Sequence, residues 1–233
     1  MKKLLVFLGL IFVGTFAFAN IELDVNMYGM GKALSLKDND DTNITWDVNQ
    51  SFAFGFEDAI NFYFGGNASK FDAGLGLFFN CDFFKKAEIK EKGNTFDYEG
   101  TGFNAGFGIG PVFRITFANP FSLYIRPTLG FNLFVIQTDE LKDELYSGTY
   151  KNTIAEFDIF KFDLNIGGRS WLLNTDGFHL GIDYGMSFGL GGGFGSFTST
   201  MSGAKTTGFS AGDADFKVYV GCCMNFGDRG IDR

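Results

Sequence analysis

The sequence predicts an all-β fold, a closed antiparallel up-and-down transmembrane β-barrel of about 8 strands, with about 10 as the alternative count. Three observations carry that reading. Large apolar residues alternate with small or polar ones over most of the chain, the period of a strand whose two faces meet different surroundings. The connections between these segments are long, then short, in turn, as in a barrel with extended loops at one rim and tight turns at the other. No stretch reaches the ~20 continuous apolar residues that a spanning helix needs.

The elements follow in chain order. Residues 1–19, MKKLLVFLGLIFVGTFAFA, have a basic start (Lys2, Lys3), an apolar run from Leu4 to Phe16 and a small-x-small end at Ala17-Phe18-Ala19, the pattern of a secretory signal peptide. Cleavage after Ala19 leaves a single barrel domain, residues 20–233, beginning at Asn20. The first strand sets Ile21, Leu23, Val25 and Met27 against Glu22, Asp24, Asn26 and Tyr28 and runs to about Leu36. After the polar loop KDNDDTN, the second sets Trp46, Val48, Phe52, Phe54 and Phe56 against Asp47, Asn49, Ser51, Ala53 and Gly55. The stretch from Glu57 to Ser69 reads equally as a short strand or a turn.

The third strand sets Phe71, Ala73, Leu75, Leu77, Phe79 and Phe83 against Asp72, Gly74, Gly76, Asn80 and Asp82, and a charged loop, Lys85 to Glu99, follows. The fourth runs from Phe103 to Phe117, with Asn104, Gly106, Gly108, Gly110 and Arg114 on its polar side, and stops at the turn Ala118-Asn119-Pro120. Strand five runs from Ser122 to Val135 with Tyr124, Arg126 and Thr128 on the polar side, before a second long loop, Thr138 to Asn152. Strand six alternates Phe160, Phe162, Leu164 and Ile166 with Lys161, Asp163, Asn165, Gly167 and Arg169. It closes at Asn174-Thr175-Asp176-Gly177. Strand seven, Phe178 to Phe197, places Gly181, Gly185, Gly189, Gly191 and Gly193 on one face, and strand eight alternates from Phe216 to Phe226.

The two faces differ in kind. One is Phe, Leu, Ile and Val with scarcely a charge. The other is Gly, Ser, Asn and Asp with isolated Arg and Lys, a composition that suits a narrow lumen filled by side chains. The apolar face is then expected to meet lipid. Lumenal charges of both signs should pair, because an unpaired buried charge bears a large desolvation penalty. The lumenal ion-pair candidates are Asp24, Asp47, Asp72, Arg114, Arg126, Lys161, Asp163, Arg169, Asp183 and Lys217, with Asp82 on the same parity. The glycines of strand seven should make room for large lumenal groups such as Arg114, Tyr124, Arg126 and Trp171.

Composition excludes several functions. The net charge of −8 becomes −10 without Lys2 and Lys3, and no basic run is present, so no nucleic-acid partner is expected. The GxG runs at Gly108 and Gly189 follow strand parity and precede no helix, so they do not form a phosphate loop. Cys81, Cys222 and Cys223 are too few for a disulfide scaffold, and adjacent strand positions send Cys222 and Cys223 to opposite faces. No catalytic residue, metal site or cofactor is expected. The single histidine, His179, sits on the polar parity at the start of strand seven, where a lumenal or rim hydrogen-bonding role is expected; it lacks the His-x-Ser spacing of a lipid-modifying barrel enzyme.

With a leader, eight alternating strands and four long connections in view, the chain resembles the small outer-membrane barrels of the OmpX, OmpW and opacity-protein group, including barrels of that type in spirochaetes. The resemblance covers Asn20 to about Phe226 and is one of architecture. Such chains usually finish on an aromatic residue, whereas Phe226 is followed here by GDRGIDR. The resemblance implies a non-enzymatic outer-membrane protein, exported to that membrane, that is structural, adhesin-like or a minor channel. Its implied partners are outer-membrane lipid and host or extracellular ligands met through the loops. Two other readings remain open: a lipid-modifying barrel enzyme, and a soluble periplasmic barrel that binds an apolar ligand.

Overall fold

In a computed structural model, which describes residues 20–40, 45–64, 70–91, 94–118, 120–142, 149–175, 177–200 and 204–227, each alternating segment is a strand. The proposed leader and its cleavage point at Ala19 lie outside the described residues. The strands are β1 (Asn20–Asp38), β2 (Thr45–Tyr63), β3 (Phe71–Glu91), β4 (Asn94–Ala118), β5 (Phe121–Lys142), β6 (Thr149–Thr175), β7 (Phe178–Thr200) and β8 (Ala204–Phe226). Each pairs antiparallel with its chain neighbour, and β8 returns to pair with β1. Closure leaves no unpaired edge. The strand count is therefore eight, and the Glu57–Ser69 stretch begins as the end of β2.

The register sets the shape. Stepping sideways from Leu23 through Ile60, Leu77, Ile109, Leu129, Phe162, Leu190 and Ala214 arrives back on β1 at Ala33, ten residues beyond the start. That stagger over eight strands corresponds to a tilt of about 40°. Strands of 19 to 27 residues then extend roughly 45 to 70 Å along the barrel axis, well past the ~25 Å apolar band of a membrane barrel.

Polarity exchanges faces along that axis. From the Asn20/Phe226 end to the middle, the outer wall is apolar: Val25, Met27, Phe54, Phe79, Phe107, Leu129, Met186 and Val218 are all exposed, while the inward positions are charged or polar. Farther along, the outward residues become Ala33, Ser35, Lys37, Asp47, Lys85 and Gln137. The inward ones there become Leu34, Leu36, Val48, Phe84, Phe134, Ile136, Ile154 and Phe209, a single buried cluster joined by Trp46 and Phe197. The inner portion has the polarity of a barrel in lipid and the outer portion that of a barrel in water.

The faces expected of three β2 residues and the extents expected of two loops are corrected here. Asp47 does not face the lumen: it is exposed and accepts a hydrogen bond from Ser35 Oγ at 3.0 Å. Opposite Met30–Lys32, β2 carries one extra residue between Gln50 and Ala53, and a bulge of one residue reverses every side chain beyond it. Trp46 and Val48 accordingly point in, although unbroken alternation would send them out with Phe52 and Phe54. Of the charged span expected to be a loop, residues 85–91 and 94–99 continue the β3–β4 strands, with Lys86 paired to Glu99 and Glu91 to Asn94. Likewise β5 and β6 remain paired as far as Lys142 and Thr149, inside the span expected to be a loop.

Candidate functional site

In the lumen, chemistry-bearing side chains of all eight strands converge, and they do so in tiers. Nearest the Asn20 end, Arg114 from β4 meets Glu22 Oε2 at 2.9 Å and Asp72 Oδ2 at 2.7 Å, with its guanidinium lying 4.1 Å from the Tyr63 ring centroid. Arg169 from β6 meets the other oxygen of Glu22 at 2.8 Å and Asp24 at 2.8 Å, and stacks 3.9 Å from the centre of Tyr124. Arg126 donates to Glu57 Oε1 at 2.7 Å and lies 3.6 Å from Asp24. Planar guanidinium groups can bridge two carboxylates and stack on a ring at once, which suits them to this crowded tier.

At mid-lumen, hydroxyls and amides join the charges. Tyr124 Oη lies 3.1 Å from Asp183 and 2.7 Å from Tyr219 Oη, and Asn26 donates to Asp183 at 2.7 Å. Tyr28 and Asn104 both donate to Asp82 at 2.8 Å. Lys217 stands 3.8 Å from Glu57, Lys161 contacts Asp215, and Asp163 is buried on the same level. The outermost charged tier gathers on Lys32 of β1, whose ammonium lies 2.8 Å from Asp213, 3.1 Å from Glu156 and 4.0 Å from Asp158. Lys32 also sits 4.6 Å from the ring centre of Phe134, which stacks on Phe84 at 5.2 Å, the floor of the apolar cap.

Nine of the ten candidates named from sequence (Asp24, Asp72, Arg114, Arg126, Lys161, Asp163, Arg169, Asp183 and Lys217) are buried in this lumen; Asp47 alone is outside. Glu22, Lys32, Glu57, Glu156, Asp158, Asp213 and Asp215 join them. Asp213 and Asp215 continue the parity of Lys217 toward the N-terminal end of β8, so the pattern that revealed Lys217 reaches them too. Glu156 and Asp158 are separated from Lys161 by a register shift between Asp158 and Phe160, which places even positions and odd positions on the same face. Periodicity alone would discard them.

Leaving aside Asp38 at the outer rim, the described lumen holds eleven carboxylates (Glu22, Asp24, Glu57, Asp72, Asp82, Glu156, Asp158, Asp163, Asp183, Asp213 and Asp215) against six basic groups, Lys32, Arg114, Arg126, Lys161, Arg169 and Lys217. Several carboxylate oxygens, among them Glu156 Oε1, Asp158 Oδ1 and Asp213 Oδ1, are buried without a hydrogen-bond partner. The glycines of β7 give these groups their space. A Cβ at Gly189 would meet Asp215 and Asp163, at Gly191 Asp213 and Asp158, and at Gly185 the Tyr219 hydroxyl. Of the large groups expected beside the β7 glycines, Trp171 lies against Gly181, whereas Tyr124 packs over Gly167 and Arg126 over Gly76.

His179 is buried at the inner rim. Its Nδ1 lies 3.1 Å from Asn174 Oδ1 and its Nε2 3.2 Å from the Gly227 carbonyl, so both ring nitrogens are engaged, and its ring meets Trp171 edge-on. Cys222 faces out, Cys223 faces the lumen, and the three cysteines are unpaired.

No protein-family model matches the chain, and no curated protein sequence does. Among solved structures, it is similar to the outer membrane protein OprG from Pseudomonas aeruginosa, with a TM-score of 0.58 at 10% identity over 90% of this chain and 96% of that one. It is also similar to the outer membrane protease OmpT from Escherichia coli, with a TM-score of 0.52 at 9% identity over 89% of this chain and 97% of that one. At such identity the likeness is one of fold: the chain has the architecture of small outer-membrane barrels.

Proposed function

We propose that the chain is an integral outer-membrane barrel with a closed lumen, and that it works at the cell surface through the part of the barrel that stands beyond the membrane and its hairpin tips. The exchange of polarity along the axis carries this reading. An apolar outer wall around a charged lumen needs lipid outside it, and a polar outer wall around an apolar core needs water. Both conditions are met by one barrel only if it is partly embedded. A soluble periplasmic carrier of an apolar ligand would leave the inner portion's Phe, Ile, Leu and Val exposed to water, far beyond the few hundred Å² of apolar patch that soluble proteins tolerate.

The contents of the lumen favour a structural or adhesin-like role over that of a wide channel. The arginine tier and the Phe84–Phe134 stack lie in series across it, and a solute would have to break buried ion pairs and then part the apolar cap. Fractionation and planar-bilayer recording of the purified protein test the proposal together. Recovery in the outer membrane with heat-modifiable gel mobility, protease cleavage of intact cells at the outer hairpins, and no large steady current steps are expected. Recovery in the soluble periplasm would refute membrane embedding, and porin-like steps would refute the closed lumen.

A further inference from the structure

The outer tier holds four carboxylates and two ammoniums: Lys32 faces Glu156, Asp158 and Asp213, and Lys161, 3.3 Å from Asp213, also contacts Asp215. Glu156, Asp158 and Asp213 are buried and each presents one oxygen within 4.8 Å of the others. Their second oxygens (Glu156 Oε1, Asp158 Oδ1 and Asp213 Oδ1) are buried with no hydrogen-bond partner. Four carboxylates (Glu156, Asp158, Asp213 and Asp215) against Lys32 and Lys161 leave this tier two charges short of neutral, part of the carboxylate excess of the whole lumen. Buried charge of one sign is stable only when it is neutralised by a counter-ion or by protonation.

A second polar group at this level is also unsatisfied. Gln50 lies opposite Lys32 across the β1–β2 ladder, only 3% exposed, and neither its amide nitrogen nor its amide oxygen has a partner. Buried amides are almost always bonded. Its oxygen is an acceptor beside the stem of Lys32, a place to which the ammonium can move without leaving the lumen.

We propose that this tier binds one hard divalent cation, such as Ca²⁺ or Mg²⁺, on Glu156, Asp158 and Asp213, the ammonium of Lys32 moving across to Gln50 as the ion arrives. Carboxylate oxygens are the ligands these ions prefer. The charges then close, since an ion of +2 with the ammoniums of Lys32 and Lys161 balances the carboxylates of Glu156, Asp158, Asp213 and Asp215. The ion would join β6 and β8 just below the apolar cap.

Isothermal titration of chelator-treated, detergent-solubilised protein with CaCl₂ and with MgCl₂ tests this. One saturable site is expected in the wild type, weakened on the order of tenfold or more by Asp213→Asn or Glu156→Gln and tightened by Lys32→Met, which removes the competing cation. Heat-modifiable gel mobility reports whether each variant is folded, and the wild-type isotherm decides the matter even if a carboxylate variant is not. Asp47→Asn, on the exposed outer wall, should leave saturable binding in place; its loss there would locate the ion on the surface and overturn the proposal. Absence of saturable binding in the wild type, or its appearance only in Lys32→Met, would show that lysine is the permanent resident cation and would equally overturn it.

Discussion

The hydroxyl of Tyr219 on β8 occupies the space in which a side chain at Gly185 on β7 would lie, and the two residues face each other across the β7–β8 ladder. Glycine at this strand position, otherwise unfavourable, leaves room both for the Ile166 carbonyl and for the phenol, which reaches Tyr124 Oη at 2.7 Å. Gly185→Ala should therefore lower stability by about 1–3 kcal/mol through overpacking, measured by urea unfolding in detergent or vesicles. Gly212→Ala, outward and with nothing within 4 Å of the added methyl, is the comparison and should be close to neutral or stabilising. Equal loss in both would mean that strand glycines serve backbone flexibility instead of lumenal space.

Arg169 is wholly buried and holds Glu22 and Asp24 while stacking on Tyr124. Arg169→Ala would leave two carboxylates without their main counter-charge, a change expected to cost about 3–5 kcal/mol. Arg169→Lys should recover only part of that, because a single ammonium neither bridges both carboxylates nor stacks flat on the ring. Unfolding midpoints in the order wild type, Lys, Ala are the expected result, and indistinguishable midpoints would count against an ion network that stabilises the barrel.

Charge tolerance on the outer wall should depend on height along the barrel. Leu129 is exposed on the apolar inner portion, where Leu129→Arg should cost about 2–4 kcal/mol in a bilayer or block insertion. Ser35 points outward on the polar portion, and Ser35→Arg should change stability by less than about 0.5 kcal/mol. Folding yield into lipid vesicles reads both. A tolerant Leu129 beside an intolerant Ser35 would put the membrane at the wrong end.

The lumenal face should reverse in the same place. Leu34, buried in the outer cluster, has an apolar environment, so Leu34→Asp should be destabilising by several kcal/mol, about the penalty of an unpaired buried charge after partial relaxation. Yet Leu34 stands on the same parity and strand as Asp24, which is held by Arg169. Thermal loss of gel-shift mobility in Leu34→Asp at a temperature the wild type survives is the expected reading. Wild-type behaviour would mean that the outer lumen is wet and the apolar cap open.

Side-chain alternation was legible from residue order because its period of two is a property of the strand itself, independent of what pairs with it. For that reason the all-β barrel, its eight strands, the apolar outward face and nine lumenal charges are readable from residue order alone. The same local rule failed at bulges. One extra residue in β2 and the shift between Asp158 and Phe160 reverse the faces beyond them, which turned Asp47 outward, brought Trp46 and Val48 inside, and hid Glu156 and Asp158. A bulge is fixed by the partner strand's register, which residue order does not contain.

The sequence by itself determined that charges would be buried and that both signs would be present; the tertiary structure decided which of them meet. Glu22 and Arg169 are brought within 2.8 Å by closure of the barrel and by its stagger of ten residues, not by proximity along the chain. The height at which polarity exchanges faces was likewise decided by closure, because only register aligns Leu34 of β1 with Phe84, Phe134 and Phe209 from other strands in one cluster. Face selection is a short-range consequence of backbone geometry, whereas lumenal partnership is a long-range consequence of how eight strands are staggered around a ring.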